Sequence, residues 1–176
     1  PVVNEQNWDT VREGMRRVVH GTAGTARALQ PLNGYEMAGK SGTAQVIAIA
    51  QDQEYNESLV AANLRHHALF IGFAPVGRPT IAVAAVVENG GGGSRQAAPV
   101  VKAVIDLMQC KDAPGRVYNI GSTEEISIEA LADKIIQMTG SRSTKQHLSY
   151  EEAYGRPFDD MMRRIPCLDR IRGIIG

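Results

Sequence analysis

The chain has 176 residues, enough for one ordinary hydrophobic core or two marginal ones, so one compact domain is favoured over two independent ones. Its 19 lysines and arginines balance its 19 aspartates and glutamates, which excludes the basic surplus typical of nucleic-acid binding. No apolar run approaches the roughly 20 residues that cross a bilayer, and no signal-peptide pattern begins the chain, so the chain as given is predicted to be soluble with no membrane segment.

The first predicted element is a helix that begins near Trp8. Asn7 or Asp9 can serve as its N-cap, and His20 with Gly21 ends it. A loop with glycine and proline breakers follows. The helix is predicted from apolar residues at helical spacing, namely Val11, Met15, Val18 and Val19.

Three apolar stretches then predict antiparallel strands. Residues 43–50 are nearly all apolar and rich in β-branched side chains, which is typical of a strand covered on both faces. Residues 67–74 and 80–87 are separated by a turn-rich stretch of hairpin length. His66 and His67 mark the start of the second strand. Because neighbouring strand residues point to opposite faces, we predict one exposed ring and no chelating pair.

A second helix is predicted at residues 97–108, with Pro99 in its first turn. The run Gly90–Gly93 before it is typical of a flexible linker on composition alone, but the helix that follows is expected to pack on the sheet. Cys110 and Cys167 have no further cysteine or histidine at ligand spacing, so we expect free thiols and no metal site.

The remaining residues predict a smaller αβ segment. We predict a short strand at 117–120, a brief strand at 147–150 and two short helical turns within 159–175. Between them, Ser127 caps a helix that Gly140 ends, with an apolar face made of Ile128, Leu131, Ala132, Ile135 and Met138. The fold class is therefore α+β: an antiparallel sheet of about three strands flanked by helices, with a C-terminal αβ appendage.

A box of four residues, Lys40-Ser41-Gly42-Thr43, opens the first predicted strand. The ammonium lowers the cost of negative charge, the glycine allows a ligand backbone to approach, and the threonine hydroxyl can hold a carboxylate. Lysine-serine-glycine turns also occur in solvated loops, so the tetrapeptide alone does not decide between the two interpretations.

The surrounding sequence resembles the C-terminal part of the transpeptidase domain of class B penicillin-binding proteins, and most of all the penicillin-binding protein 2 type. The resemblance implies that Lys40 is the basic residue of the third active-site motif, that Thr43 holds a substrate or β-lactam carboxylate, and that the acyl group lies along 43–46. The partners it implies are β-lactams and peptidoglycan stem peptides. The matching stretches are Val11–Thr22, Met37–Val46, His67–Val76, Ile81–Ser94 and Ala97–Pro99.

The same resemblance requires a nucleophilic serine in Ser-x-x-Lys and a second serine in Ser-x-Asn. None of the serines in the sequence begins either pattern. We therefore expect the chain to be catalytically incomplete and inactive in transpeptidation by itself.

The C-terminal residues resemble the substrate-binding part of extended short-chain dehydrogenases/reductases, the NAD-dependent nucleotide-sugar epimerases and dehydratases. The resemblance implies that Arg164 reaches a nucleotide diphosphate or sugar, and a solvated basic turn at Arg163 and Arg164 is the equal alternative. A glycine-rich dinucleotide turn and a Tyr-x-x-x-Lys base are absent from the sequence, so no cofactor is expected. The matching stretches are Gly115–Ser122, Ile126–Ala132, Tyr154–Asp160 and Arg163–Pro166.

We interpret the chain as a chimera of residues 1–102 and 103–176, joined inside the predicted helix. A natural fusion and a misassembled sequence are the alternatives. Two further hypotheses are half of an active site that another polypeptide completes, and a homo-oligomer that covers an open sheet edge. Localisation stays open, because one parent family works in the periplasm behind a membrane anchor and the other in the cytoplasm.

Overall fold

The computed structural model describes residues 4–48, 55–156 and 160–176, and its central element is a three-stranded antiparallel sheet. Strands β1 (Ala38–Ala44), β2 (His67–Ala74) and β3 (Ile81–Val87) lie side by side in chain order. Together with the helices described below, the sheet confirms the predicted α+β class. The second and third strands lie within one residue of their predicted bounds.

Strand β1 differs from its prediction. It begins five residues before the predicted strand of residues 43–50 and ends at Ala44, and residues 49–50 lie outside the described residues. Pairing with β2 decides its bounds, since every residue from Ala38, opposite Phe73, to Ala44, opposite His67, has a partner. β1 is also not covered on both faces, because its residues range from buried to exposed.

Helix α1 (Glu5–His20) begins earlier than predicted and ends as predicted, with Gly21 as its C-cap. Its N-cap is Asn4, whose side-chain oxygen accepts from the backbone N–H of Asn7 at 3.0 Å, so the predicted caps Asn7 and Asp9 were wrong. Short 3-10 turns follow at Arg27–Leu29, Glu57–Leu59 and Ala62–Leu64.

Helices α2 (Gly93–Gln96) and α3 (Ala98–Gln109) follow β3, and α3 confirms the helix predicted there with Pro99 in its first turn. Val101 and Ile105 of α3 belong to one fully buried cluster with Phe70 of β2. The opposite face of the sheet is partly exposed, since Ile71 is 50% exposed and Val86 is 61% exposed.

The chain divides into two compact units, the first running to Arg116 with Gly173–Gly176 and the second being Val117–Arg172. In the second unit, α4 (Ile128–Thr139) has the predicted cap, with Ser127 Oγ accepting from Ala130 N–H at 3.0 Å, and it ends at Gly140 with φ 61°.

The other C-terminal predictions hold less well. Residues 117–120 are irregular rather than a strand, and α5 (Tyr150–Tyr154) begins where a strand was predicted, because Ser149 and Glu152 form a capping box. Helix α6 (Asp169–Ile175) forms after Pro166 as the second of the two predicted turns. Residues 157–159 lie outside the described residues.

The second unit buries little apolar surface. Ile128, Ile135 and Met138 on the apolar face of α4 are exposed, and Ile171 is the one buried residue among the described residues 117–172. In the part of the chain that the structure describes, no helix is both long and apolar enough to span a bilayer.

Candidate functional site

The Lys-Ser-Gly-Thr box lies inside strand β1 rather than at its opening. Its four residues pair in register with β2, from Lys40 opposite Ile71 to Thr43 opposite Ala68. Among the described strands, β1 pairs with β2 alone, so its other edge carries unpaired backbone N–H and C=O groups. Such an edge can accept an extended peptide as an additional strand.

The two side chains with predicted ligand contacts, Lys40 and Thr43, are both exposed. Because strand residues alternate between faces, Ser41 and Thr43 share one face and Lys40 lies on the other. The ammonium of Lys40 nevertheless stays beside the box, since it donates a hydrogen bond to the carbonyl oxygen of Ser41. A cation and a hydroxyl therefore flank the same open edge.

The chain that enters β1 is fixed by a buried polar network. The hydroxyl of Tyr35 donates to Oδ1 of Asp106 in α3 at 2.6 Å, and Oδ2 of Asp106 pairs with the ammonium of Lys102. Asp106 is 4% exposed. Burial, and then the bond to Asp106, raise the pKa of Tyr35 well above its ordinary range.

Helix α1 holds the next two residues of the same segment. Arg16 donates to Oε1 of Glu36 at 2.8 Å, and this hydrogen bond lowers the pKa of that carboxyl below its ordinary value. The ring Nε2 of His20 lies 3.1 Å from the carbonyl oxygen of Met37. Three consecutive residues before β1 are thus each tied to a helix.

The glycine run is a packing element rather than a linker. Gly93 begins α2 and is buried, and a Cβ there would lie 2.2 Å from the carbonyl oxygen of Leu69 and 2.6 Å from that of Gly42. Only glycine lets α2 approach the box so closely. At Gly42, a Cβ would lie 3.3 Å from the Cβ of Leu69, its partner across the two strands, which is a close contact.

The adjacent histidines correct the prediction of one exposed ring. His66 is 3% exposed, and its Nδ1 accepts from Val46 N–H at 3.2 Å. His67 is partly buried, and its Nδ1 accepts from Asn89 N–H at 2.9 Å. Both bonds join a side chain to a backbone more than 15 residues away in sequence, so local pattern carried no signal for them.

In the second unit, Arg163 and Arg164 line a surface cavity of about 720 Å³. Arg163 makes a bidentate pair with Glu125 at 2.9 and 2.8 Å. Arg164 bonds Asp160, which also lines the cavity, and this bond lowers the pKa of Asp160. Both guanidinium groups are largely exposed, and each is paired with a carboxylate.

No group of three or more metal-ligating side chains converges within the described ranges 4–48, 55–156 and 160–176. Cys110 and Cys167 are free thiols, as predicted.

The comparison with protein families decides the identity of the N-terminal part. The model of the penicillin-binding protein transpeptidase domain matches residues 1–106. The chain belongs to this transpeptidase family. It is 39% identical to the peptidoglycan D,D-transpeptidase MrdA of Haemophilus influenzae over 129 aligned residues. The aligned region is 73% of this chain and 20% of that relative.

Solved transpeptidase structures agree with this assignment. The crystal structure of PBP2 of Pseudomonas aeruginosa in complex with WCK 5153 superimposes with a TM-score of 0.50 at 46% identity, over 66% of this chain and 22% of that one. The chain therefore spans about a fifth of the length of these transpeptidase relatives.

A shorter sequence match is to an enzyme outside the transpeptidase family. UDP-N-acetyl-alpha-D-glucosaminuronate decarboxylase of Bacillus cytotoxicus is 35% identical over 72 residues, which are 41% of this chain and 22% of that enzyme.

Proposed function

We propose that β1 forms the carboxylate-binding wall of a peptidoglycan D,D-transpeptidase site. The observation that carries the proposal is the position of the box on an open strand edge, with Lys40 and Thr43 exposed beside it. An extended acyl chain would pair with the open edge at the end of β1, and its carboxylate would accept from the Thr43 hydroxyl near the Lys40 ammonium. β-Lactams and stem peptides ending in D-alanine have this shape and charge.

We further propose that the 176 residues bind such ligands without acyl transfer. Acyl transfer requires an attacking hydroxyl within reach of a base, and the sequence contains neither Ser-x-x-Lys nor Ser-x-Asn. A second polypeptide that supplies the nucleophile would complete the site, which is the alternative form of the same proposal.

Two measurements test these statements. Incubation with a fluorescent penicillin followed by denaturing electrophoresis should give no covalent band, and a stable band would refute the absence of acyl transfer. Titration with benzylpenicillin should shift the backbone amide NMR signals of residues 40–46. Thr43→Val should remove most of this response, whereas the control Thr25→Val, an exposed threonine outside β1, should retain it.

A second candidate function belongs to the cavity of the second unit. Arg164 lines it and faces a carboxylate, Asp160, whose place a diphosphate could take. The likeness to a UDP-sugar enzyme supports nucleotide-sugar binding there. Calorimetry with UDP-glucuronate should detect binding that Arg164→Ala abolishes, that Asp160→Asn strengthens and that the exposed control Arg142→Ala leaves unchanged. Equal binding by the two arginine variants would exclude this function.

The two fragments are proposed to join inside α3, between residues 102 and 103. The end of the family match at residue 106 and the unbroken helix Ala98–Gln109 support a join in this helix. Limited proteolysis of the whole chain should leave a resistant fragment that contains α1 to α3. Early cleavage within α3 would argue against a shared helix.

A further inference from the structure

His66 has an unusual set of hydrogen bonds for a buried residue. Its backbone N–H donates to the hydroxyl oxygen of Tyr55 at 3.2 Å, and its carbonyl oxygen accepts from Gly91 N–H at 2.8 Å. Its Nδ1 accepts from Val46 N–H. Its Nε2 is buried and has no hydrogen-bond partner within the part of the chain that the structure describes.

This pattern fixes the chemical form of the ring. Because Nδ1 accepts a hydrogen bond from a backbone N–H, it carries no proton, and the hydrogen of the neutral ring sits on Nε2. A buried N–H donor without a partner is unfavourable. Among the residues that the structure describes, the Nε2–H of His66 therefore has no acceptor, while Nδ1 on the other side of the ring accepts from the amide of Val46.

Ring packing alone does not account for a histidine here. The ring stacks on Tyr55 with centroids 3.9 Å apart and planes 15° from parallel. A phenylalanine would stack equally well without burying an unpaired donor. What histidine adds is the acceptor Nδ1, so the contact with Val46 is the feature that requires this residue type.

The contact lies where the open edge of the box ends. Ala44, the last residue of β1, pairs with His67, and two residues later the chain bends at Val46. His66 holds the amide at this bend, and through Gly91 it also holds the glycine run that packs against Gly42. The length of edge left for a ligand beyond Thr43 is thus set by this ring.

We infer that His66 is a positioning residue that anchors the Val46 amide and thereby fixes the end of the ligand-binding edge beside Thr43. The inference deepens the proposed function and rests on it. The ligand class is an extended acyl chain whose carboxylate lies at Thr43.

The test uses the whole chain and two substitutions that separate the acceptor from the ring. His66→Phe keeps a ring for Tyr55 and removes the acceptor, whereas His66→Asn loses the ring and keeps an acceptor close to the position of Nδ1. Long-range ¹H–¹⁵N NMR of the unsubstituted protein should find His66 with an unprotonated Nδ1. Hydrogen exchange at Val46 should accelerate about tenfold or more in His66→Phe and less in His66→Asn.

The response to the ligand should rank the variants in the same way as hydrogen exchange at Val46. The response of the Thr43 amide to benzylpenicillin should fall several-fold in His66→Phe and recover in His66→Asn. His67→Phe, which removes the acceptor for Asn89, is the matched control and should leave exchange at Val46 unchanged.

The outcomes distinguish the two proposals. A protonated Nδ1, or equal exchange at Val46 in His66→Phe and the unsubstituted protein, overturns the anchoring role. Faster exchange with an undiminished penicillin response overturns the positioning role. If benzylpenicillin shifts nothing in the unsubstituted protein, the proposed function fails while the exchange result still tests the anchor.

Discussion

The hydroxyl of Tyr35 and the carboxylate of Asp106 lie 2.6 Å apart, and this contact ties the segment that enters β1 to helix α3. Asp106 lies beyond residue 102, on the other side of the proposed join, yet it completes a network in the core of the first unit. Asp106 is also the last residue that the transpeptidase family model matches, so the matched region itself includes this contact.

Removing this contact should destabilise the first unit. Tyr35→Phe leaves Asp106 paired with Lys102 but without its second donor, and we expect a loss of about 1–2 kcal/mol. Asp106→Asn weakens both interactions and should cost more. Urea unfolding of the single and double variants gives the coupling energy, which should be at least about 0.5 kcal/mol if the two groups interact directly. Strict additivity would contradict the contact.

The same tyrosine predicts a loss of stability in alkali. Burial and the bond to Asp106 raise the pKa of Tyr35 above its ordinary value of 10.0, so the folded protein retains this proton longer than the unfolded chain. The stabilisation is complete below about pH 10 and is lost as the pH rises toward the folded pKa. The unfolding midpoint should therefore fall above about pH 10 in the unsubstituted protein and fall less steeply in Tyr35→Phe. Parallel declines in the two proteins would refute this linkage.

Two glycine-to-alanine substitutions should have opposite signs. Gly93→Ala places a Cβ against two backbone carbonyl oxygens at 2.2 and 2.6 Å, so α2 must move from β1 and β2, at a cost of about 2 kcal/mol or more. Gly14 lies within α1 with no atom within 4 Å of the added Cβ, so Gly14→Ala should stabilise by about 0.5–1 kcal/mol. Thermal unfolding by circular dichroism measures both, and equal effects would contradict the packing of α2.

These contacts also mark the limit of the sequence analysis. β2, β3, α3 and α4 were predictable because their apolar periodicity and caps are local signals. β1 was misplaced because its small and polar residues become a strand only through pairing with β2. The Lys-Ser-Gly-Thr box is recognisable in the sequence as a motif. Its position on an open edge depends on the order of the strands in the sheet, which the sequence pattern does not show. The anchoring of His66 and the approach of Gly93 depend on residues distant in sequence.

The pair of Arg16 and Glu36 should stabilise the protein at neutral pH but not in acid. Arg16 lowers the pKa of Glu36 below its ordinary value of 4.5, so the stabilisation is present above that value and is lost as the pH falls through the lowered folded pKa. Both side chains are partly exposed and the pair is screened by solvent, so Glu36→Gln should lower the stability only slightly at neutral pH. Unfolding at about pH 7 and about pH 2.5 tests this, and the two proteins should become equal in acid. A difference that persists there would assign the effect to packing.

Two valine-to-alanine substitutions in helices of the first unit test where its core lies. Val101 of α3 is fully buried, and its Cγ1 packs so close to Gly72 of β2 that a Cβ added there would lie 3.0 Å away. Val11 of α1, in contrast, is 50% exposed. Val101→Ala removes two methyl groups from the core and leaves a cavity, which should cost about 2 kcal/mol or more. Val11→Ala removes the same atoms from a half-solvated site and gains helix propensity, so its effect should stay within about 0.5 kcal/mol. Urea unfolding followed by far-UV circular dichroism compares them, and a similar loss in both would place the core of this unit elsewhere than between α3 and the sheet.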